Sequence, residues 1–317
     1  MLHILINFIN FGKMFTLGNI MKFKKIYIEL SDICGLKCDF CPSQKGIRGV
    51  MSEEKFQNLA YEISNKAELF TFHLLGDPLL LPNLENYLKI AKDEAMKLEI
   101  TTSGFYLNSK NQALLLGYEN IHQINISLMS FLSQSKISLE QYFKPILELC
   151  KKHLEQKSLS FINLRLWNLD ANFKAPKSNL KIYEFLAKEF EVKIDTNLSK
   201  NRLQRHILLH QNKLFKWPNL KDEPLYKKGK CHALKEQIGI LSDGSLVPCC
   251  LDTKADINLG NVFENNFDKL FKSSRIKMMK KAFEEDKRIE KLCQTCEFFK
   301  ARLGDSKLLF SSFVLNS

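Results

Sequence analysis

Three cysteines stand at the spacing C-x3-C-x2-C in Cys34-Gly-Leu-Lys-Cys38-Asp-Phe-Cys41, directly after the strand-like run Lys25-Ile-Tyr-Ile-Glu-Leu30. Thiolates are the usual ligands of iron–sulfur clusters, and most clusters take four. A cubane held by three thiolates keeps one iron open, and an open coordination position marks a catalytic metal rather than a structural one. A zinc knuckle, or reduced cysteines in a turn, would use the same residue types. A second group of cysteines lies in the C-terminal third, at Cys231, Cys249, Cys250, Cys293 and Cys296, the last two forming a C-x2-C pair. From spacing alone this group suits a four-cysteine zinc site as well as an iron–sulfur site.

A loop of this kind needs a scaffold that holds it at the end of a strand. From Lys25 to about Thr196 the chain alternates strand-like and helical patterns. The predicted strands are Lys25–Leu30, Leu69–Leu74, Leu98–Thr101, Ile121–Leu128, Leu159–Trp167 and Glu191–Ile194. Between them, Phe56, Leu59, Ala60 and Ile63 fall at i, i+3, i+4, i+7, and Leu84, Tyr87, Leu88 and Ala91 repeat that spacing. Tyr142, Ile146, Leu149 and Cys150 follow it less strictly, which makes Cys150 a small core residue. The alternation predicts βαβ units and a parallel sheet, an α/β fold. The cysteine loop then sits at the carboxyl end of the first strand, where α/β barrels carry their chemistry.

Residues 201–230 change character. They are polar, basic and punctuated by Pro218 and Pro224, which predicts a short helix and a connection between domains. His206 and His210 stand at i, i+4, a spacing that can bind metal, but no Glu-x-x-His context surrounds them and they read as two histidines on a helix surface. Asp243-Gly244 is a hairpin signal between two strand-like runs. The expected domains are 22–200, a linker 201–230, and 231–317.

The chain has 317 residues, 45% of them hydrophobic, enough for a barrel-sized core and a smaller second unit. The net charge is +12, which suits anionic partners, so nucleic acid stays open as a partner. The lysines are nevertheless spread along helical faces, and the densest clusters, Lys227-Lys-Gly-Lys230 and Lys277-Met-Met-Lys-Lys281, are short. Nine cysteines in close groups favour metal binding in a reducing compartment, hence a cytoplasmic location. Residues 1–21 are apolar but broken by Asn7, Asn10, Gly12 and Lys13, too short to span a bilayer and without a signal-peptide pattern. They are expected to be a dispensable extension, with no stable membrane association.

The motif Cys34/Cys38/Cys41, with Phe40 before its last cysteine and Pro42 after it, resembles the defining motif of the radical S-adenosylmethionine (SAM) superfamily. The resemblance implies a partial (β/α)6 TIM-like barrel. It also implies a [4Fe–4S] cluster on the three cysteines and SAM chelated by the open iron, with Phe40 near the adenine. His73-Leu-Leu-Gly76-Asp77-Pro78 resembles the family's Gly-Gly-Glu-Pro segment, which contacts the SAM amino group; here Leu75 replaces the first glycine and Asp77 the glutamate. Thr101-Thr102-Ser103-Gly104 resembles its Thr-Asn-Gly, and Ile126-Ser127-Leu128 its Ile-Ser-Leu-Asp, with Met129 in place of aspartate. Thr102, Ser103 and Ser127 are thereby candidate SAM contacts. Arg165, on the fifth strand, is another, or belongs to the substrate site or a structural ion pair.

The C-terminal group resembles the SPASM and twitch extensions of the same superfamily. No cysteine follows Cys296, so the match is to the shorter, one-cluster form. It implies a second, auxiliary [4Fe–4S] cluster on Cys231, Cys249, Cys293 and Cys296, with Cys250 as the spare. The implied activity is reductive cleavage of SAM and hydrogen abstraction by the 5'-deoxyadenosyl radical. A reducing partner such as flavodoxin or ferredoxin supplies the electron. The expected outcome is oxidative modification of a peptide or protein. Dehydrogenation of a carbohydrate or small metabolite, modification of RNA, and a non-catalytic electron-transfer protein are the alternatives.

Overall fold

A computed structural model describes residues 22–42 and 47–298; the expectations for residues 1–21 fall outside them. The barrel half opens with β1 (Phe23–Ile28), α1 (Glu53–Ile63), β2 (Ala67–Phe72), α2 (Leu84–Asp93), β3 (Leu98–Thr102), α3 (Ser109–Gly117) and β4 (Ile121–Ser127). It continues through α4 (Met129–Leu132), α5 (Leu139–Glu155), β5 (Phe161–Leu169), α6 (Leu180–Glu189), β6 (Lys200–Gln204) and β7 (Ile207–Lys213). The C-terminal part adds β8 (Gln237–Ile240), β9 (Leu246–Val247), α7 (Phe267–Leu270), α8 (Ser274–Glu284) and α9 (Lys291–Thr295).

Local chemistry explains where the helices begin. Ser52 caps α1 by accepting from the Lys55 amide, with Glu53 and Glu54 in the favourable first turn. Ser138 and Gln141 form a capping box on α5. The helical stripes read from the sequence are the buried faces: Phe56, Leu59, Ala60 and Ile63 on α1, Leu84, Tyr87, Leu88 and Ala91 on α2, and Tyr142, Ile146, Leu149 and Cys150 on α5. Cys150 is 2% exposed on that face, in the core position expected of it, and burial pushes its thiol up to about 12.

Among the described residues the strands form one nine-stranded sheet, in the order β6-β7-β5-β4-β3-β2-β1-β8-β9. β1 to β5 and β7 run parallel, giving the six strands of a partial (β/α)6 barrel. Alternation along each strand separates two faces. Ile26, Ile28, Phe70, Phe72, Ile100, Ile124, Ile126, Leu164 and Leu209 are buried under the helices. Each contributes about 1.5–3 kcal/mol of burial. The opposite face is polar, with Lys25, Thr71, Glu99, Asn125, Asn163 and Arg165 at the alternate positions. β8 pairs in parallel with the other edge of β1, from Lys25↔Gln237 to Ile28↔Ile240, so the C-terminal part extends the barrel sheet.

Two expectations need correction. Residues 191–194 are not a strand. Glu191 has φ +52° just past the end of α6, a helix-ending conformation, and the Val192 amide bonds back to Ala187. Val192 and Ile194 still pack on the core, which accounts for their strand-like composition. The sixth parallel strand is β7, reached through an antiparallel hairpin from β6. The same hairpin replaces the short helix expected after residue 200. His206 occupies its turn, at φ +58°, and His210 lies on β7. Four residues of strand span about 13 Å, so the two histidines do not share a metal position. Among the described residues no helix is long and apolar enough to cross a membrane.

Candidate active site and auxiliary metal centre

Cys34, Cys38 and Cys41 are half-buried on the loop that follows β1. The loop is held from several sides. The buried Asp32 carboxylate accepts from the amides of Ile47 (2.9 Å), Arg48 (3.0 Å) and Gly49 (3.0 Å), closing the loop on itself. Tyr106 Oη donates to the Cys34 carbonyl at 3.3 Å, and Trp217 Nε1 donates to the Phe40 carbonyl at 2.8 Å. Gln134 Nε2 lies 3.8 Å from Cys38 Sγ.

Glu29, at the end of β1 and 1% exposed, ties this loop to the rest of the molecule. It takes a bidentate pair of bonds from Arg48, both 2.9 Å, one from the Leu75 amide (3.2 Å), and two from Ser242, amide and hydroxyl (both 3.2 Å). One carboxylate therefore joins the cysteine loop, the segment after β2 and the hairpin of the C-terminal part. The sequence pattern missed Glu29, although a carboxylate within an otherwise apolar strand is a signal of a buried polar partner.

The segment after β2 presses on the cysteine loop. Gly76 has φ +71°, and a Cβ there would collide with the Ser31 carbonyl oxygen, so glycine is required on two counts. The Asp77 amide bonds to the Ile33 carbonyl at 3.0 Å. The Asp77 side chain turns inwards. It accepts from Thr102 Oγ1 (3.0 Å), from the Ser103 amide (2.8 Å) and hydroxyl (2.6 Å), and from the Leu79 amide (3.1 Å). Burial raises its pKa while these donors oppose the rise. Asp77, Thr102 and Ser103 thus come together but bond to one another. Pro78 starts the buried turn that Asp77 caps. Tyr142 Oη bridges the carbonyls of Ser103 (2.8 Å) and Ser127 (3.3 Å), fixing the ends of β3 and β4 together.

Arg165 lies on the polar face. Its Nη2 donates to Glu99 Oε1 at 3.1 Å and its guanidinium stands 4.7 Å from the centre of the Trp167 ring, while the buried Nε has no partner. Lys25 Nζ meets Glu99 Oε2 at 2.6 Å, and Asn125 donates to Oε1 at 2.8 Å. Burial opposes ionisation of Glu99, but Lys25 and Arg165 outweigh it and hold the carboxyl at about 2. Burial, reinforced by Arg165, pushes the neighbouring His73 imidazole down to about 4.

An open cleft of about 800 Å³ adjoins the cysteine loop. Phe40, Cys41, Phe215, Trp217, Leu251 and Lys254 are among its walls. Behind it, Cys231, Cys249, Cys293 and Cys296 line one smaller cavity, and Pro218 and Leu251 line both spaces. Cys250 is not among the residues lining that cavity; it packs with Tyr27 against the small cluster of Leu74, Leu241 and Val247, with its thiol near that of Cys249. Burial pushes the thiols of Cys231, Cys249 and Cys293 upward and that of Cys296 to about 11, and neighbouring thiols reinforce the rise at Cys249, Cys293 and Cys296. Four such thiols ionise together only against a cationic centre, which is what an iron–sulfur core provides. Among the described residues no three His, Cys, Asp or Glu side chains converge on a single-ion position. A cubane needs no such convergence, because each of its thiolates binds a different iron.

The family model for the radical SAM superfamily matches residues 28–164, and that for the SPASM iron–sulfur cluster-binding domain matches residues 231–297. The chain thus carries a radical SAM domain followed by a SPASM domain. As a radical SAM enzyme it uses a [4Fe–4S] cluster with SAM, and its SPASM domain carries auxiliary iron–sulfur chemistry. Enzymes of this superfamily need a reductant. Solved structures of the same fold include BtrN in complex with AdoMet and 2-DOIA (16% identity, 87% of this chain and 93% of that one, TM-score 0.56). They also include Streptococcus suis SuiB bound to precursor peptide SuiA (17%, 87% and 71%, 0.58) and anSMEcpe with bound AdoMet (16%, 87% and 84%, 0.56). No match was found among curated proteins.

Proposed function

We propose that this radical SAM enzyme oxidatively modifies a peptide or protein held in the 800 Å³ cleft. One observation carries the reading: the cleft has Cys41 on one wall and shares Pro218 and Leu251 with the four-cysteine cavity on another, so a bound substrate lies between the two thiolate sets. Cys34, Cys38 and Cys41 hold the catalytic cluster. Cys231, Cys249, Cys293 and Cys296 hold the auxiliary one, with Cys249 preferred to Cys250 because it faces their common cavity. When bound, these groups supply reductive cleavage of SAM, a 5'-deoxyadenosyl radical that takes hydrogen from an unactivated carbon, and an acceptor for one electron.

The chain's own residues orient and shield that chemistry. Gly76 lets the post-β2 backbone approach the cysteine loop, leaving main-chain carbonyls free to receive the SAM ammonium. Asp77 fixes Thr102 and Ser103 at the end of β3, and Tyr142 fixes the Ser127 carbonyl beside them. Phe40 is the adenine wall, its carbonyl anchored by Trp217. Arg165, with Nε unpartnered, offers one more donor to a carboxylate of SAM or substrate.

The cleft's lining supports a peptide: aromatic rings at Phe40, Phe215 and Trp217 beside charges of both signs, Lys254 and Asp256 among them. SuiB, of the same fold, is known with a precursor peptide. A second reading, oxidation of a small metabolite, takes its support from BtrN, of the same fold and known in complex with AdoMet and 2-DOIA. The grouping of the cysteines in metal-binding sets supports a cytoplasmic enzyme served by a flavodoxin or ferredoxin.

Dithionite-reduced, reconstituted enzyme should release 5'-deoxyadenosine from SAM, and a panel of short peptides and of sugars should show which class accelerates release. Release no greater than that of the Cys34→Ala/Cys38→Ala/Cys41→Ala variant would refute the reading. Acceleration by sugars alone would establish the second reading in place of the first.

A further inference from the structure

Arg288 lies between α8 and α9 and is 4% exposed. Its Nη1 donates to the carbonyl oxygens of Cys293 (3.1 Å) and Cys296 (3.0 Å), and its Nη2 to that of Lys230 (3.3 Å), the residue directly before Cys231. The side chain also lines the cavity into which the four cysteines open. One guanidinium therefore gathers the backbone at three of the four cysteine positions, from two stretches of chain that enter the cavity separately.

We propose that Arg288 is the positioning residue of the auxiliary centre: it clamps the two halves of the cysteine cage together and supplies the positive charge that a bound cluster faces. The inference rests on the reading of Cys231, Cys249, Cys293 and Cys296 as ligands. The geometry suits arginine specifically. Its planar fork carries five donors in fixed directions, whereas lysine offers a point charge on a flexible stem. The charge has a purpose of its own. Four thiolates around a cubane carry net negative charge, and a guanidinium 4% exposed on the wall of the same cavity offsets part of it. Glu290, a carboxylate beside the cage that acts on Cys293, is itself paired with Arg275 at 2.9 Å. Net charge and hydrogen bonding at the cluster set its reduction potential. Arg288 stabilises the reduced, more negative state, so removing its charge makes that state harder to reach.

The test is an EPR-monitored redox titration of the reconstituted full-length enzyme, following the signal that added SAM leaves unchanged. Arg288→Met removes the charge at similar length, and Arg288→Lys keeps the charge without the fork. Arg288→Met is expected to lower the midpoint by about 59 mV or more, a tenfold change in the one-electron equilibrium constant. Arg288→Lys should keep the potential but lose auxiliary iron faster to a chelator. Both should leave the SAM-responsive signal as in the wild type. Unchanged potential in an iron-replete Arg288→Met enzyme overturns the proposal, as does a lowered melting temperature in both variants with potential and chelation rate untouched. Should Arg288→Met hold no auxiliary iron, Arg288→Lys alone decides: faster iron loss at an unshifted potential supports the clamp, and wild-type resistance overturns it. Cys231→Ala retaining the full iron content would instead fail the ligand reading, independently of Arg288.

Discussion

The two thiolate regions solve opposite problems with the same residue type. The loop of Cys34, Cys38 and Cys41 is half-buried, opens on a wide cleft, and is held by hydrogen bonds from other elements to its backbone and by its own amides on Asp32. The cage of Cys231, Cys249, Cys293 and Cys296 is half-buried as well, but it faces a smaller, more apolar cavity, and burial pushes its thiols upward. Three thiolates on a cubane leave a coordination position for a ligand, whereas four fill every iron. The number of thiolates and the space they face, more than the residue type, distinguish the two regions.

The sharpest way to break this comparison is to remove each set in turn. Replacing Cys34, Cys38 and Cys41 by alanine should leave about four iron per chain of about eight and abolish 5'-deoxyadenosine release. Replacing Cys231, Cys249, Cys293 and Cys296 should also leave about four iron, yet keep SAM cleavage above background while product formation from substrate stops. Iron analysis and chromatography of the nucleoside decide both, and loss of SAM cleavage in a folded, four-iron quadruple variant would remove the distinction.

Glu29 touches both regions, so Glu29→Gln should damage both. It removes the buried negative charge that faces the half-buried Arg48, with an expected loss of about 3 kcal/mol in denaturant unfolding. A variant with near-native stability would show that the two regions are held together by other contacts. Gly76→Ala acts on the catalytic side alone. Its Cβ must displace the Ser31 backbone, costing about 2 kcal/mol and lowering SAM cleavage, while the auxiliary signal in EPR stays unchanged.

The smallest effect distinguishes the halves by pH. His73 is held at about 4 on the catalytic side, below its ordinary 6.5, so the unfolded chain binds the proton first as pH falls. Stability is thus lost on acidification, starting near 6.5 and continuing towards 4. Between pH 7.5 and 5.5 wild-type enzyme should lose about 1 kcal/mol more than His73→Gln. Thermal unfolding of the two proteins at both values checks this, and parallel losses would free His73 of the role.

Much of this was legible in the sequence because period and spacing are local properties. The stripes on α1, α2 and α5 and the Cys34/Cys38/Cys41 loop needed no knowledge of distant partners. The sixth strand was not legible: Val192 and Ile194 carry strand-like composition, but Glu191 takes a helix-ending conformation, while the real strand hid in a basic, histidine-bearing segment. Asp77 illustrates a different limit. Its place beside the site follows from its motif, but the inward turn of its carboxylate depends on Thr102 and Ser103 arriving from another strand. Arg288 gives no sequence signal, since its partners are carbonyl oxygens that every residue possesses.

The pairing of β8 with β1 also bears on how the molecule is made. The Glu29–Ser242 contact beside that pairing joins positions 213 apart. At ribosomal rates of roughly 5–20 residues per second, the first strand waits about 10–40 s for its neighbour on that side. Until then a nascent barrel shows an unpaired edge, the kind of surface that recruits other chains. A shortened protein ending before Cys231 would keep that edge permanently and should accumulate as aggregates, so the catalytic half is not a module that can be borrowed without its metal-binding tail.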